Sequence, residues 1–141
     1  MSTLPDCKDM VRMEHINKTF NKGSVNEVVL FTDFNLGISE GEFVSVVGSN
    51  GSGKTTMLNI LCGFTEIDSG RIFLKNKDLT RLKEFQRASF IGRVFQVPSK
   101  GACPTLTILE NMALADNKNR AFGLSRGVSK KRIDFYRAQL E

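Results

Sequence analysis

The chain has 141 residues, of which 40% are hydrophobic and 25% charged, and this composition predicts one ordinary globular domain with a single core. It contains no uninterrupted apolar run of roughly 18 residues, and its N-terminus lacks the basic start and apolar stretch of a secretory signal, so we expect a cytosolic protein. The net charge is +5, but the basic residues crowded near the C-terminus are not interleaved with aromatic ones, which argues against a nucleic-acid partner.

The cysteines predict no disulfide or metal site. Cys7, Cys62 and Cys103 are widely spaced and form no CxxC pair, and His15 is the only histidine. Free thiols in a reducing compartment are the expected state.

The first part of the chain predicts an antiparallel β layer. After a loose segment at residues 1–10, the alternating pattern of Val11–Phe20 favours a strand. Two shorter strands are expected at Val28–Phe31 and Phe34–Ile38, bounded by turn residues.

The pattern changes at Phe43. The apolar run Phe43–Val47 is typical of a strand buried on both faces of a parallel sheet. A helix is expected from Lys54 to Leu61, with Gly63 as its C-cap. Downstream, strands are predicted at Arg71–Leu74 and Ile91–Phe95, and a helix capped by Thr80 runs between them to Ala88.

Two further helices are predicted after the Gly- and Pro-containing loop at Pro98–Pro104. The first is capped by Thr107, with Glu110 at the capping-box position. The second is basic, is capped by Ser129 and runs to Leu140.

The strongest motif is Gly48–Thr55, GSNGSGKT, which fits the phosphate-binding pattern G-x-x-x-x-G-K-[ST] in full. The glycines allow backbone angles at which successive N–H groups converge on phosphate oxygens, and the following helix points its N-terminal dipole at the same anion. Lys54 supplies a compact cation for the β- and γ-phosphates, the Thr55 hydroxyl is placed to ligate Mg²⁺, and Thr56 reaches a neighbouring phosphate. A simple glycine-rich turn before a helix would have no use for Lys-Thr at this point.

A phosphate-binding loop alone does not distinguish kinases, GTPases, helicases and transport ATPases, but its flanks do. The stretches Asn35–Gly48, Leu58–Phe64 and Asp68–Ile72 resemble the surroundings of the Walker A loop in ABC-family ATPases. In the same way, Val94-Phe95-Gln96 resembles the Q-loop of that family, and Leu106–Asn111 resembles the segment after it.

The resemblance implies the fold and the ligands. We expect an α/β P-loop NTPase core of the ABC ATPase type with an N-terminal antiparallel β layer, occupying residues 11–141 as a C-terminally truncated domain. Such a domain is the ATP-binding subunit of an ABC transporter, with ATP and Mg²⁺ as its ligands. The GACP stretch at 101–104 and the segment Leu124–Arg132 resemble a bacterial subgroup that takes up tryptophan- or tyrosine-type amino acids.

The resemblance also assigns roles to individual residues. Phe20 matches the aromatic residue that stacks on adenine, although an ordinary core aromatic is the alternative. Lys54 and Gln96 are the expected catalytic residues, and Thr55 and Gln96 are the expected Mg²⁺ ligands. The residues expected to wrap the phosphates are Ser49, Asn50, Gly51, Ser52, Gly53, Lys54, Thr55 and Thr56.

The expected partners are a second ATP-binding subunit and transmembrane permease subunits, which would contact residues 97–106 and hold the protein on the inner face of the membrane. The chain contains no LSGGQ-type signature and no apolar strand ending in Asp-Glu. We therefore expect it to bind ATP but not to hydrolyse it alone. A soluble ABC-type ATPase, a small-molecule kinase and a non-catalytic ATP-binding fragment are the alternatives.

Overall fold

The computed structural model describes residues 9–118 and 130–140, and the chain divides into two compact units at residues 91 and 92. Most of the loose N-terminal segment predicted at residues 1–10 lies outside the described residues, whereas Asp9 and Met10 already belong to the first strand. The assignment of residues 11–141 to one domain stays a prediction.

The first unit contains a four-stranded antiparallel sheet, which confirms the predicted β layer. Its strands are β1 (Asp9–Phe20), β2 (Val28–Ser39), β3 (Ser69–Leu74) and β4 (Lys77–Asp78), arranged in the order β2-β1-β3-β4. Every pair in this order is antiparallel.

The two short strands predicted between Val28 and Ile38 are one continuous strand, β2. Asp33, between the two predicted strands, adopts a left-handed conformation (φ 51°) within β2, and His15 on β1 does the same (φ 50°). The Nδ1 atom of His15 lies 2.6 Å from the Oδ1 atom of Asp33, and both side chains are exposed. The single histidine is thus part of an irregular β1–β2 pairing.

Helix α1 (Lys54–Cys62) packs on the sheet and forms the core with it. Its Met57 and Ile60 side chains are buried together with Met13, Ile16 and Ile72 from the strands and with Leu79, which directly follows β4. Gly63 ends α1 as predicted, in the left-handed conformation (φ 86°) that glycine adopts without strain.

Two predicted strands are absent from the structure, which corrects the sequence analysis. Residues 43–47 and 91–95 form no strand, and Phe43, Val47 and Val94 are almost fully exposed. An apolar run predicts burial, but a strand also needs a hydrogen-bonding neighbour from elsewhere in the chain. Within residues 9–118 and 130–140, neither segment pairs with the antiparallel sheet or with the other.

The helix predicted to begin after Thr80 is shorter and starts later. Helix α2 spans Glu84–Arg87, and the backbone N–H of Lys83 donates to Oε1 of Gln86 at its start. Thr80 does not cap it, because its hydroxyl oxygen accepts a hydrogen bond from the backbone N–H of Ile72 (2.9 Å) on β3. The Thr80 hydroxyl, which the sequence pattern predicted to cap a helix, is therefore bonded to the sheet instead.

The second unit contains a 3₁₀ turn at Pro98–Lys100 and the helices α3 (Ile108–Asp116) and α4 (Lys130–Ala138). Asp116 joins the two helices, because its carboxylate contacts the guanidinium of Arg132 and accepts a hydrogen bond from Tyr136 Oη (2.8 Å). The predicted cap Ser129 lies outside the described residues. In the described part of the chain, no helix has both the length and the apolar character needed to cross a bilayer.

Thr107 and Glu110 form the predicted capping box at the start of α3. The Thr107 hydroxyl accepts from the Glu110 N–H (3.3 Å), and the Thr107 N–H donates to Glu110 Oε2 (2.8 Å). We expect Thr107→Ala to lower the free energy of unfolding by about 1 kcal/mol, because it leaves a helix N–H without its acceptor. Urea unfolding followed by circular dichroism measures this loss. Ser99→Ala, at an exposed position of the same unit, is the control, and an equal stability of the two variants would contradict the prediction.

Candidate functional site

The loop Gly48–Gly53 connects the exposed run at 43–47 to α1, and two of its glycines adopt conformations that other residues avoid. Gly51 has φ 84° and Gly53 has φ 90°. At Gly48 a β-carbon would lie 2.8 Å from the Ser52 hydroxyl oxygen, so the Ser52 side chain would have to turn away. The loop is further closed by a hydrogen bond from the Ser52 N–H to the Ser49 carbonyl (3.3 Å). Of the two fixed glycines of the motif, Gly53 is therefore the one whose backbone conformation requires glycine, and Gly51 has the same requirement at a variable position.

The end of the loop rests on strand β2. A β-carbon at Gly53 would lie 3.0 Å from Phe31 Cζ and 3.2 Å from Leu30 Cδ1. The Phe31 ring in turn stacks on Phe34, with ring centroids 4.9 Å apart. The antiparallel layer thus supports the loop from one side at the point where α1 begins.

The N-terminus of α1 is prepared for an anion. No side chain caps it, its first turn contains no acidic residue, and the Met57 N–H donates to the Gly53 carbonyl (2.8 Å) as a helical bond. The N–H groups before Met57 have no acceptor within the helix, and the helix dipole adds partial positive charge at this end. Both properties favour a phosphate group.

Lys54 brings a full positive charge to the same place. Its Nζ atom donates to the carbonyl oxygens of Gly48 and Ser49, both at 2.7 Å, and lies 3.4 Å from the Ser52 hydroxyl. The side chain therefore folds back over the loop, and its ammonium lies among the backbone atoms that the motif is expected to wrap around phosphate.

The other predicted ligand residues of the loop are accessible. Ser49, Asn50, Gly51, Ser52 and Thr55 are exposed, and Thr56 is half-buried. Thr55 is the second residue of α1, so its hydroxyl belongs to the same helix end as Lys54. A neutral hydroxyl oxygen suits Mg²⁺, which retains several waters and takes few protein ligands. No cluster of three or more His, Cys, Asp or Glu occurs among residues 9–118 and 130–140.

Phe20 is the last residue of β1 and lies outside the buried core. Its side chain is 37% exposed, and the Nζ atom of Lys18 lies 5.0 Å from the ring centroid. The alternative that Phe20 is a core aromatic does not agree with this exposure. Its role in adenine stacking stays a prediction.

Gln96 belongs to the second compact unit and is exposed. It follows Phe95, whose ring lies 4.7 Å from the guanidinium carbon of Arg93. The strand that was expected to end at Gln96 is not formed, and the catalytic and metal-binding roles of this residue stay predictions.

Asp68, to which no sequence pattern assigns a role, lies beside the end of β1. One carboxylate oxygen accepts a hydrogen bond from the Thr19 N–H (2.6 Å), directly before Phe20. The two residues are 49 positions apart, so no local pattern could connect them. The turn Asp68-Ser69-Gly70 was the signal available, but it predicts only a change of chain direction.

Known proteins are similar to this chain in sequence and in fold. A family model described as "ABC transporter" matches residues 31–141. A tyrosine transport ATP-binding protein of Clostridioides difficile is 39% identical over 83% of this chain and 47% of its own length. The spermidine/putrescine import ATP-binding protein PotA of Haemophilus influenzae is 38% identical over 80% of this chain and 28% of its own length.

The solved structures lead to the same family. The ATP-binding cassette MJ0796, in a dimeric post-hydrolysis state bound to ADP and phosphate, superposes with a TM-score of 0.72 at 32% identity, over 93% of this chain and 56% of that one. The chain therefore spans about half or less of the length of these relatives. The α/β P-loop fold class is confirmed by these neighbours, and the chain belongs to the ABC transporter family, as part of an ATP-binding domain.

Proposed function

We propose that this chain binds Mg-ATP through Gly48–Thr56 and is part of the subunit that couples ATP binding and hydrolysis to transport. The observation that carries the proposal is the arrangement at the start of α1. An uncapped helix end, a loop with two left-handed glycines and the ammonium of Lys54 meet at one point. Each favours an anion independently of family membership.

Binding follows from these groups. The N–H groups of the loop and of the first turn of α1 hold the phosphate oxygens, and Lys54 exchanges carbonyl partners for the β- and γ-phosphates. The Thr55 hydroxyl is one ligand for Mg²⁺, and Gln96 is the second protein ligand proposed. Bound Mg²⁺ neutralises phosphate charge. Phe20, half-exposed at the end of β1, stacks on the adenine ring.

The proposed cargo is an amino acid of the tyrosine or tryptophan type. A tyrosine transport ATP-binding protein is among the relatives, at 39% identity over 83% of this chain, against 38% over 80% for the spermidine/putrescine protein. The GACP stretch at 101–104 supports the same subgroup. A soluble ABC-type ATPase without a transport role is the alternative, and these relatives do not favour it.

The proposed partners are a second ATP-binding subunit and the permease subunits. Dimeric MJ0796 supports the first, because that cassette is 32% identical over 87% of this chain. Residues 97–106 are proposed to contact the permease, which would place the protein on the cytoplasmic face of the membrane. Among these residues, the described side chains except that of Cys103 are exposed.

We expect the 141-residue chain to bind ATP and to turn it over negligibly. In this family, phosphoryl transfer to water needs charge stabilisation and a positioned water, and the signature and Asp-Glu strand that would provide them do not occur in this sequence. Calorimetric titration with ATP, with and without Mg²⁺, tests binding, and phosphate release over hours tests turnover. Robust turnover that Lys54→Ala abolishes would contradict the expectation, whereas absence of ATP binding would contradict the proposed function itself.

A further inference from the structure

We infer that Asp68 is a positioning residue for the adenine-stacking ring of Phe20, and that it thereby contributes to recognition of the base. The inference rests on the proposed function, because it assumes that Phe20 stacks on the base. It adds a residue to which neither the motif nor the comparisons give a role.

The first step is the contact between Asp68 and the end of β1. One carboxylate oxygen of Asp68 accepts a hydrogen bond from the Thr19 N–H (2.6 Å), and the Asp68 N–H donates to the carbonyl of Asn17 (2.9 Å). The hydrogen bonds run in both directions between the turn before β3 and the last residues of β1. They fix the backbone directly before Phe20, which is the last residue of that strand.

The second step is the position of Lys18. Its Nζ atom lies 3.8 Å from the other carboxylate oxygen of Asp68 and 5.0 Å from the centroid of the Phe20 ring. Side chains two residues apart in a strand lie on the same face, and the Lys18 side chain is only 14% exposed. Asp68 therefore holds both the backbone before Phe20 and the cation that lies over its ring.

The third step is the rigidity of the turn that carries Asp68. Gly70 has φ 112°, and a β-carbon there would lie 2.7 Å from the carbonyl oxygens of Glu14 and His15. The Ser69 hydroxyl accepts from the amide of Asn17 (3.0 Å). The turn is thus pressed against β1 over several residues, so that Asp68 presents its carboxylate from a fixed position.

A ring held in advance loses less conformational freedom on stacking, so it binds a base more tightly than a mobile ring does. Removal of Asp68 loosens the last residues of β1, which keep their pairing with β2, and releases the Lys18 ammonium. Part of the ordering of Phe20 then has to come from the nucleotide. The phosphate loop is formed by other residues and does not use Asp68. Removal of Asp68 is therefore expected to weaken the binding of the base and to leave the binding of the phosphates unchanged.

The test compares ATP with inorganic tripolyphosphate, each titrated into the full chain in the presence of Mg²⁺. Phe20→Ala is expected to weaken ATP binding about tenfold, which is a usual loss for a base–aromatic stack. Asp68→Ala is expected to weaken it about threefold to tenfold, and Asp68→Asn about twofold, since the amide oxygen still accepts from Thr19 without the charge. Tripolyphosphate affinity is expected to stay at the wild-type value in all three variants.

A double variant distinguishes positioning from an independent contact. Because Asp68 acts through the ring, Asp68→Ala is expected to cause no further loss of ATP affinity in the Phe20→Ala background. Asp78→Ala is the matched control, since the carboxylate of Asp78 also accepts a backbone hydrogen bond, from Thr80 (2.8 Å), at a different turn. Its ATP affinity is expected to equal that of the wild type.

Three results would overturn the inference: unchanged ATP affinity in Asp68→Ala, an equal loss for both ligands, or additive losses in the double variant. If Asp68→Ala fails to fold by circular dichroism, Asp68→Asn decides, and unchanged ATP affinity in that variant overturns the inference. If the wild type binds neither ATP nor tripolyphosphate, the proposed function is overturned together with the inference. If the wild type binds both ligands and the Asp68 variants bind them with the same affinities, only the inference is overturned.

Discussion

Lys54→Ala is expected to lower the affinity for both ATP and inorganic tripolyphosphate by on the order of 100-fold, the largest effect on binding of any single substitution in this chain. The ammonium lies over the loop, 2.7 Å from the carbonyl oxygens of Gly48 and Ser49. Its removal takes a full positive charge from the point where the loop and the start of α1 meet. The loss is expected for both ligands because the interaction is with phosphate and not with the base.

The same contacts limit the size of the effect. When Lys54 turns to phosphate it gives up two carbonyl partners, so the net gain is smaller than that of a new charge-assisted hydrogen bond alone. The carbonyl bonds are between a charged and a neutral group, whereas the phosphate bonds are between opposite charges, so the exchange is favourable. Substitution also loosens the loop that the ammonium now closes, which adds to the loss.

Calorimetric titration measures the two affinities, and Lys75→Ala is the matched control. Lys75 is an exposed lysine of the same unit whose Nζ atom lies 2.9 Å from a carboxylate oxygen of Glu40, so this variant removes the same charge away from the loop. We expect its affinities to stay within about twofold of the wild type, as for an exposed ion pair. If Lys54→Ala bound ATP like the control, the assignment of Gly48–Thr56 to phosphate would be wrong.

The features that were predicted correctly from the sequence are mostly those that depend on residues close together in the chain. The start of α1 after Gly53, its end at Gly63 and the Thr107–Glu110 capping box each depend on residues within a few positions of one another. The antiparallel layer was also predicted, from the alternation in the sequence of Val11–Phe20. The burial itself does not alternate, because the β1–β2 register shifts between the buried residues Met13 and Ile16.

The features that the sequence did not predict depend on residues distant in the chain. The apolar runs at 43–47 and 91–95 were interpreted as strands, but pairing depends on a neighbour that the run itself does not contain. Thr80 satisfied the pattern of a helix cap, but its hydroxyl accepts from Ile72 on the sheet. Asp68 and Arg87 were given no role for the same reason, since the Thr19 partner of Asp68 and the Ile60 and Leu61 partners of Arg87 are remote in sequence.

Arg87 is the clearest of these cases, because it is buried and holds two parts of the first unit together. Its side chain is 4% exposed, and burial lowers the pKa of the guanidinium from its ordinary value, although arginine keeps its charge at neutral pH. Its N–H groups donate to four carbonyl oxygens, two at the C-terminal end of α1 and two in the connection between β4 and α2: Ile60 (2.7 Å), Leu61 (3.1 Å), Thr80 (3.1 Å) and Leu82 (2.8 Å).

We expect Arg87→Met to lower the free energy of unfolding by about 3 kcal/mol, although two effects oppose each other. Removing a desolvated charge stabilises the folded state, whereas four carbonyl oxygens lose a charged donor. The second effect is larger because each bond is charge-assisted, although the Ile60 carbonyl keeps the Gly63 N–H (3.1 Å) as a donor. Met keeps most of the aliphatic volume, so the loss reports hydrogen bonding more than packing. The free energy of unfolding of Arg87→Lys is expected to lie between those of the wild type and Arg87→Met. A lysine ammonium keeps the charge but lacks the planar, forked donors of the guanidinium.

Urea unfolding followed by circular dichroism is the suitable measurement, because the chain has no tryptophan and one tyrosine. Arg81→Met, an exposed arginine in the same connection, is the control and is expected to stay within about 0.5 kcal/mol of the wild type. Because α1 begins at Lys54 and its other end is held by Arg87, any loss of affinity in Arg87→Met is expected to be equal for ATP and for tripolyphosphate. If Arg87→Met were as stable as the control, the free-energy cost of burying the charge would equal the stabilisation from its four hydrogen bonds, and the prediction would be wrong.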